Sequence, residues 1–347
     1  MAQRITLKQV AAQAGVSYQT VSKVLNKQAT VSKETEARIW HAVHSLGYRP
    51  NQIARNLRAQ RNHMIGYSWE PTPPDQVNSI LDLFMQSMSH MAEDAGYHLL
   101  AFPFRGDRKE WLASYENLID TNRVDAFVLT SVEYNDPRLE LLMQRKFPFV
   151  AFGRSNPDWD FPYVDVDGEA GLRMVVDHLL ERGHRRIAAL AWPTASRVGQ
   201  NRITGYLDAL TAAGIEPRQD YIARGEGNFQ FGYKATQQWL EWLPEERPTA
   251  IVAFNDAMAI GAMHAIRDHG LSVGRDIAVT GFDDSPIVQY LTPPLTSVRQ
   301  PVWEVGERVI ALLLGLLDGK PLGEQHILLQ PQLIIRQSSK ATFSSSV

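Results

Sequence analysis

The sequence predicts an α/β protein: an N-terminal three-helix head, a short linker, and a two-lobed core of doubly wound parallel sheets. Three observations carry this. Residues 1–62 hold ten Lys/Arg against two acidic residues, a charge of +8, and the rest of the chain holds 25 against 36, a charge of −11. The head is dense with helix caps and stops, whereas from Ile65 onward short β-branched or aromatic runs alternate with amphipathic helical segments. Finally, 347 residues exceed what one hydrophobic core usually serves. The expected boundaries are 1–48 for the head, 49–62 for the linker and 63–347 for the core. One lobe is expected to take residues 63–165 and 296–324, the other 166–295 and 325–338.

In the head, Thr6 can cap a first helix, with Gln9 as its capping-box partner. Leu7, Val10, Ala11 and Ala14 form the apolar stripe, and Gly15 supplies a left-handed stop. Ser17 caps a second helix with Val21, Val24 and Leu25 inward. The run Thr30-Val31-Ser32 caps a third, with Ile39, Val43 and Leu46 inward and Gly47 at its end. Two short helices across a glycine turn, closed by a third, follow the helix-turn-helix plan. Tyr18, Gln19, Ser22 and Lys23 are left outside on the second helix, where they can reach base edges. An exposed polar helix face alone is usually just solvated. In a +8 module of this pattern the DNA-reading interpretation is stronger.

Beyond Gly47, Tyr48-Arg49-Pro50-Asn51 breaks the helix, and Gln52 to Arg58 can form a short one. Seven residues do not hold a helix alone in water, so this segment is expected to fold only against a partner.

Cysteine is absent, which excludes disulfides, Cys-ligated zinc, iron–sulfur clusters and thiol catalysis. No metal or cofactor is expected. The longest apolar run, Val309–Leu317, is half a membrane span, and the first residues lack the apolar stretch of a secretory signal. A cytoplasmic protein without membrane contact is therefore expected. None of HExxH, GxSxG, a P-loop or a GxGxxG opening a helix occurs, and Asp283-Asp284 are neighbours rather than carboxylates flanking a bond, which argues against an enzyme.

The run TLKQVAAQAGVSYQTVSKVLN, followed by VSKETEARI, GYRPN and IARNLR, resembles the lactose/galactose-repressor (LacI/GalR) family of bacterial transcription regulators. The resemblance implies that Tyr18, Gln19 and Lys23 read the major groove, where many members carry Arg at the last position. It also implies two hinge helices paired in the minor groove, with Leu57 wedged between base steps. On the residues alone, the alternative for Leu57 is a linker-packing side chain. The candidate DNA contacts further include Thr6, Ser17, Thr20, Ser22 and Asn26 in the head, and Asn51, Ala54 and Arg55 in the hinge.

In the core, the expected strands are Ile65–Trp69, His98–Phe102, Ala126–Ser131, Phe149–Gly153, Ile187–Trp192, Tyr221–Gly225, Ala250–Asn255, Ile277–Gly281 and Ile327–Arg336. The expected helices are Ile80–Ala95, Leu172–Arg182, Ile203–Ala213, Ala257–His269 and Val302–Leu317. Ligands of doubly wound sheets sit beyond the carboxyl ends of the strands. Trp69, Glu70, Arg154, Arg202, Phe229, Asn255 and Asp283 fall at such ends and form the candidate effector site. Carboxylate, amide and guanidinium groups with flat rings suit a polyhydroxylated ligand. Trp69 reads equally as core, Asp256 reads as a helix cap outside the site, and Asp284 reads as a cap or local bond. Phe152, Phe254 and Phe282 read as core, and His178 as structural.

The stretches VDHLLERGHRRIAAL, NRITGYLDAL, AFNDAMAIGAM, VTGFDDSP and LTPPLTSVRQP resemble the same family's effector core, which is similar to periplasmic sugar-binding proteins. By position, the resemblance places Arg202, Asn255, Asp283 and Phe229 at effector contacts; Arg154 departs from the acidic residue that some sugar-binding members have there. Three crossings between lobes are expected, near Val164–Asp167, near Pro293–Thr296 and before Ile327. Together these readings predict a homodimeric repressor of a palindromic operator, controlled by a small effector, most simply a mono- or disaccharide. The alternatives are a purine or phosphorylated effector, or a solute-binding module that does not bind DNA.

Overall fold

In a computed structural model, which describes residues 5–25, 31–48, 61–69, 71, 78–103, 108–321 and 323–340, the chain divides into two compact units, 1–62 and 63–347. In the first unit Thr6 opens helix α1 (Leu7–Ala14) with a complete capping box, and Gly15 ends it at φ 63°. Helix α2 (Tyr18–Leu25) follows, then α3 (Lys33–Leu46), capped by Ser32 and stopped by left-handed Gly47. Val10, Ala11, Ala14, Val21, Val24, Ile39, Ala42 and Val43 close the core between the three helices. Leu7, Leu25 and Leu46, expected inward, are only partly buried against this cluster.

The second unit holds two six-stranded sheets. The first consists of β1 (Met64–Trp69), β2 (His98–Pro103), β3 (Ala126–Leu129), β4 (Phe149–Phe152), β5 (Tyr163–Val166) and β11 (His326–Leu329), in the order β11-β5-β4-β3-β1-β2. All its ladders are parallel. The second contains β6 (Ile187–Ala191), β7 (Ile222–Arg224), β8 (Ala250–Ala253), β9 (Ala278–Asp283), β10 (Thr296–Arg299) and β12 (Gln332–Ile334), in the order β12-β10-β9-β8-β6-β7. There the β10–β12 ladder alone is antiparallel. β3, β6 and β8 are buried at every residue, as central parallel strands covered on both faces must be, whereas the edge strands β2, β7 and β11 are half-exposed.

Helices α4 (Ser79–Asp94), α5 (Arg108–Asp120), α6 (Pro137–Arg145) and α11 (Val302–Leu317) belong to the first lobe. Helices α7 (Gly168–Glu181), α8 (Arg197–Ala212), α9 (Phe229–Leu240) and α10 (Asp256–Asp268) belong to the second. Three of these, α5, α6 and α9, fall where the spacing predicted no helix. Helices α7 and α8 also start earlier than expected, at the caps Asp167 and Ser196, because a polar first turn carries no apolar stripe. Arg202, expected to open its helix, therefore lies well inside α8.

The lobe boundaries differ from the expected ones. β10 pairs with β9, so residues 296–299 belong to the second lobe and the middle crossing comes at Gln300-Pro301, not at 293–296. The expected strand Ile327–Arg336 is two strands. β11 extends the first sheet and β12 the second, and the third crossing falls between them at Gln330-Pro331. Proline stops each ladder there by withholding its N–H.

Helices α9 and α10 approach backbone to backbone. A Cβ on Gly232 would lie 2.2 Å from the Met258 carbonyl oxygen, and one on Gly261 would lie 2.2 Å from that of Phe229. Gly261→Ala is expected to lower core stability by about 2 kcal/mol through overpacking. Urea unfolding with an unchanged midpoint would contradict this close packing.

Candidate DNA-reading face and effector cavity

On the head, Tyr18, Gln19 and Lys23 are exposed along α2, and Ser22 is half-buried. The other polar candidates are engaged locally. The Thr6 hydroxyl donates to Gln9 Oε1 at 3.0 Å, and Ser17 Oγ accepts from the Thr20 N–H at 3.1 Å while sharing a 2.8 Å hydrogen bond with Thr20 Oγ1. Thr6 and Ser17 thus fix where the helices begin, leaving Tyr18, Gln19 and Lys23 to project. Asn26, Asn51, Ala54, Arg55 and Leu57 lie outside the described residues, as does Glu70.

In the core, a cavity of about 950 Å3 opens between the carboxyl ends of both sheets. Of the candidate residues, Arg202, Phe229, Asn255 and Asp283 line it. Arg154 and Trp69 do not. Arg154 Nε donates to Asp165 Oδ2 at 2.7 Å, so this arginine is held by a carboxylate that itself lines the cavity. Trp69 ends β1 and is 40% exposed, away from the cavity wall. Several lining residues escaped the sequence reading: Trp192, Asn201, Asn228, Gln230, Gln300 and Asp165. Trp192 and Gln300 follow the carboxyl ends of β6 and β10, Asn228 and Gln230 flank Phe229 at the start of α9, Asn201 lies on α8 and Asp165 on β5. Phe152 and Phe282, expected as core, also form part of the wall, whereas Phe254 is fully buried core.

Arg202 organises the second-lobe side. It is 3% exposed, donates to the Phe254 carbonyl, and faces Asp283 Oδ1 at 3.8 Å. Its guanidinium lies 3.5 Å from the Phe282 ring centroid and 4.7 Å from that of Trp192. Its Nε is buried without a hydrogen-bond acceptor. Burial pulls the Arg202 pKa down to about 10, against the opposing pull of Asp283, so the group stays charged at neutral pH. An incoming hydroxyl could satisfy the lone N–H.

Asn255, rather than Asp256, caps α10: its Oδ1 accepts from the Met258 N–H at 2.9 Å, and its Nδ2 donates to the Gly227 carbonyl at 2.7 Å. Asp256, expected as a helix cap outside the site, instead reaches the cavity. It accepts from Ser297 Oγ at 2.6 Å and from Ser285 N and Oγ at 2.7 and 2.8 Å. Asp283 accepts from Gln300 Nε2 at 2.7 Å and is held at φ 112°, a backbone region that side chains other than glycine rarely occupy. Asp284 turns the other way, onto Arg299 and Arg336 at 2.6 and 2.7 Å, which ties β9 to β10 and to the segment after β12. His178 meets the Ser339 hydroxyl and carbonyl at 3.0 and 3.2 Å, a structural role.

Burial, with Asp283 nearby, pushes the Asp256 carboxyl up to about 7, and burial raises Asp283 as well. The folded core thus holds a proton that the unfolded chain releases at ordinary carboxylate pH. The resulting penalty is absent below about pH 4, grows as pH rises, and is complete above about 7. Asp256→Asn is expected to flatten this decline, because a neutral amide has no proton to lose. Urea midpoints at pH 5 and pH 8 test this; parallel losses in both proteins would contradict it.

A basic three-helix head with an exposed polar helix face, joined to a two-lobed core around a polar and aromatic cleft, defines a DNA-binding regulator with an effector domain. Residues 6–51 match the model of bacterial regulatory proteins of the lacI family, and residues 176–339 match a periplasmic binding protein-like domain. The HTH-type transcriptional repressor PurR of Erwinia tasmaniensis is 34% identical over 96% of both chains. The repressor CytR of Escherichia coli is 33% identical over 97% of this chain and 96% of its own. Among solved structures, a LacI-family regulatory protein from Chloroflexus aggregans superposes with a TM-score of 0.77 at 55% identity, covering 80% of this chain and 98% of that one. The lac repressor dimer bound to operator and the anti-inducer ONPF gives 0.85 at 29% identity, over 98% and 100%. A CelR–cellobiose complex gives 0.74 at 29% identity, over 97% and 100%. The chain belongs to the lacI family of bacterial regulatory proteins: it is a DNA-binding repressor with an effector domain, and not an enzyme. Acting on bacterial DNA, such a regulator works in the cytoplasm.

Proposed function

We propose that this repressor binds a palindromic operator as a homodimer and that its effector is a neutral saccharide held between the lobes. The observation that carries the effector reading is that neither guanidinium at the cavity is left for an anion. Arg154 is bound to Asp165, and Arg202 donates to the Phe254 carbonyl and faces Asp283. A phosphorylated metabolite would therefore meet carboxylates whose cations are already engaged. A sugar needs what is present: paired acceptors, amide groups on Asn201, Asn228, Gln230 and Gln300, and the aromatic walls of Trp192 and Phe229. The similar CelR structure is a cellobiose complex, which supports the same reading. The dimer rests on the lac repressor dimer on its operator and on the small number of bases that one head can read.

A thermal-shift screen of neutral sugars, nucleobases and sugar phosphates tests the effector. A neutral sugar is expected to raise the melting temperature and to change the operator footprint; a shift confined to phosphates or nucleobases would overturn the reading. Deleting residues 1–62 should abolish operator binding and leave the sugar shift intact. Retained operator binding would refute the role assigned to the head.

A further inference from the structure

A second cavity, of about 360 Å3, lies in the first lobe at the carboxyl ends of β1 and β3. It shares Thr130 and Ser131 with the effector cavity, so the turn leaving β3 borders both chambers. That turn is built rather than incidental. Ser131 is held at φ 52°, and its carbonyl accepts from Arg138 Nη2 at 3.0 Å. Arg138 is itself buried, gripped by Asp136 at 2.6 Å through Nη2, and lies 4.4 Å from the Trp111 ring centroid. Asp136 also caps α6. The helix start, the ion pair and the indole therefore set the shape of the turn together.

We propose that this side chamber is a second sugar subsite, so that the effector is a disaccharide or longer saccharide with one ring between the lobes and the next beside Trp111 and Tyr134. This inference rests on the sugar reading of the main cavity. The volume fits: about twelve waters at roughly 30 Å3 each would fill the chamber, and one hexose ring has a similar number of heavy atoms. The lining fits as well. Two aromatic side chains stand among Ser68, Asn135 and the Asp136 carboxylate; the guanidinium in the lining, Arg138, is neutralised by Asp136, and Arg197 lies 5.3 Å from the Tyr134 ring centroid. The placement also fits, because ligands of such sheets sit at strand carboxyl ends and the chamber extends along the same edge.

Calorimetric titration of the full-length protein with glucose, galactose, cellobiose, maltose and lactose tests this, in the wild type and in Tyr134→Ala and Trp111→Ala. At least one disaccharide is expected to bind ten-fold or more tighter than its own monosaccharide. Tyr134→Ala, at an exposed loop position, should remove most of that advantage and leave monosaccharide affinity unchanged. Equal affinity for a disaccharide and its monosaccharide, or equal weakening of both in Tyr134→Ala, would overturn the subsite while sparing the main-cavity reading. Failure of every sugar to bind, with a nucleobase or sugar phosphate binding instead, would overturn both. Trp111→Ala removes packing around Arg138, so a circular dichroism melt accompanies it; a folded Trp111→Ala that keeps the disaccharide preference also refutes the proposal.

Discussion

Arg202→Ala is expected to weaken saccharide binding by roughly 100-fold or more, about 3 kcal/mol, while leaving effector-free operator affinity within a few fold. The size follows from the position of the side chain. Arg202 bonds the Phe254 carbonyl, lies over Phe282, faces Asp283, and carries a buried Nε without an acceptor. Its removal leaves the buried Asp256 and the partly buried Asp283 without a cation. The two carboxyls will then take up protons more readily still, which limits what the broken pair costs the folded core. Arg202→Lys should not rescue binding, since one ammonium cannot span the carbonyl and the carboxylate across two aromatic rings as a planar guanidinium does. The check is calorimetry with the best sugar, beside operator binding by fluorescence anisotropy. If sugar and operator binding vanish together with a cooperative melt, the protein has misfolded and the assignment of Arg202 to the ligand fails.

What the sequence could and could not show about this site has a physical basis. Arg202, Asn255 and Asp283 were legible because charged or amide groups at strand ends in an apolar stretch need partners. The head was legible almost to the residue, since Thr6, Gly15, Ser32 and Gly47 are caps and stops whose chemistry is local. Asp256 was misread for a related reason: an Asp beside a helix start looks like a cap, and only the fold shows that Asn255 already fills that position. Arg154 looks free for a ligand in the sequence because its partner, Asp165, lies on a neighbouring strand that the alternation of runs does not mark. The second and third crossings were misplaced because β10, β11 and β12 are strands of three or four residues. Which sheet each joins is decided by pairing, of β10 with β9, of β11 with the distant β5 and of β12 with β10, and the hydrophobic pattern of so short a run does not record it.

The charge division bears on how the two activities are kept apart. A −11 core is repelled by phosphate, and a +8 head is drawn to it, so nonspecific DNA attraction is confined to the unit that reads sequence. Salt should therefore weaken operator binding steeply and leave sugar binding nearly unchanged, because the cavity groups are buried beyond the reach of screening.

Gln19→Ala is expected to lower affinity for the operator roughly 10- to 100-fold, about 1–3 kcal/mol, with almost no effect on binding to nonspecific duplex. Gln19 lies at the start of α2 and is exposed, and its amide can make a two-pronged contact to an adenine edge. Its neighbours Ser17 and Thr20 are bonded to each other, so its removal leaves the cap intact and the helix in place. Lys23→Ala provides the contrast. An ammonium is a point charge, so its loss should weaken specific and nonspecific binding more evenly and reduce the salt slope by about one. Titrations of both variants against operator and scrambled duplex at two salt concentrations separate the two behaviours. If Gln19→Ala weakens both duplexes equally, Gln19 holds phosphate rather than a base, and the reading face lies elsewhere on the head.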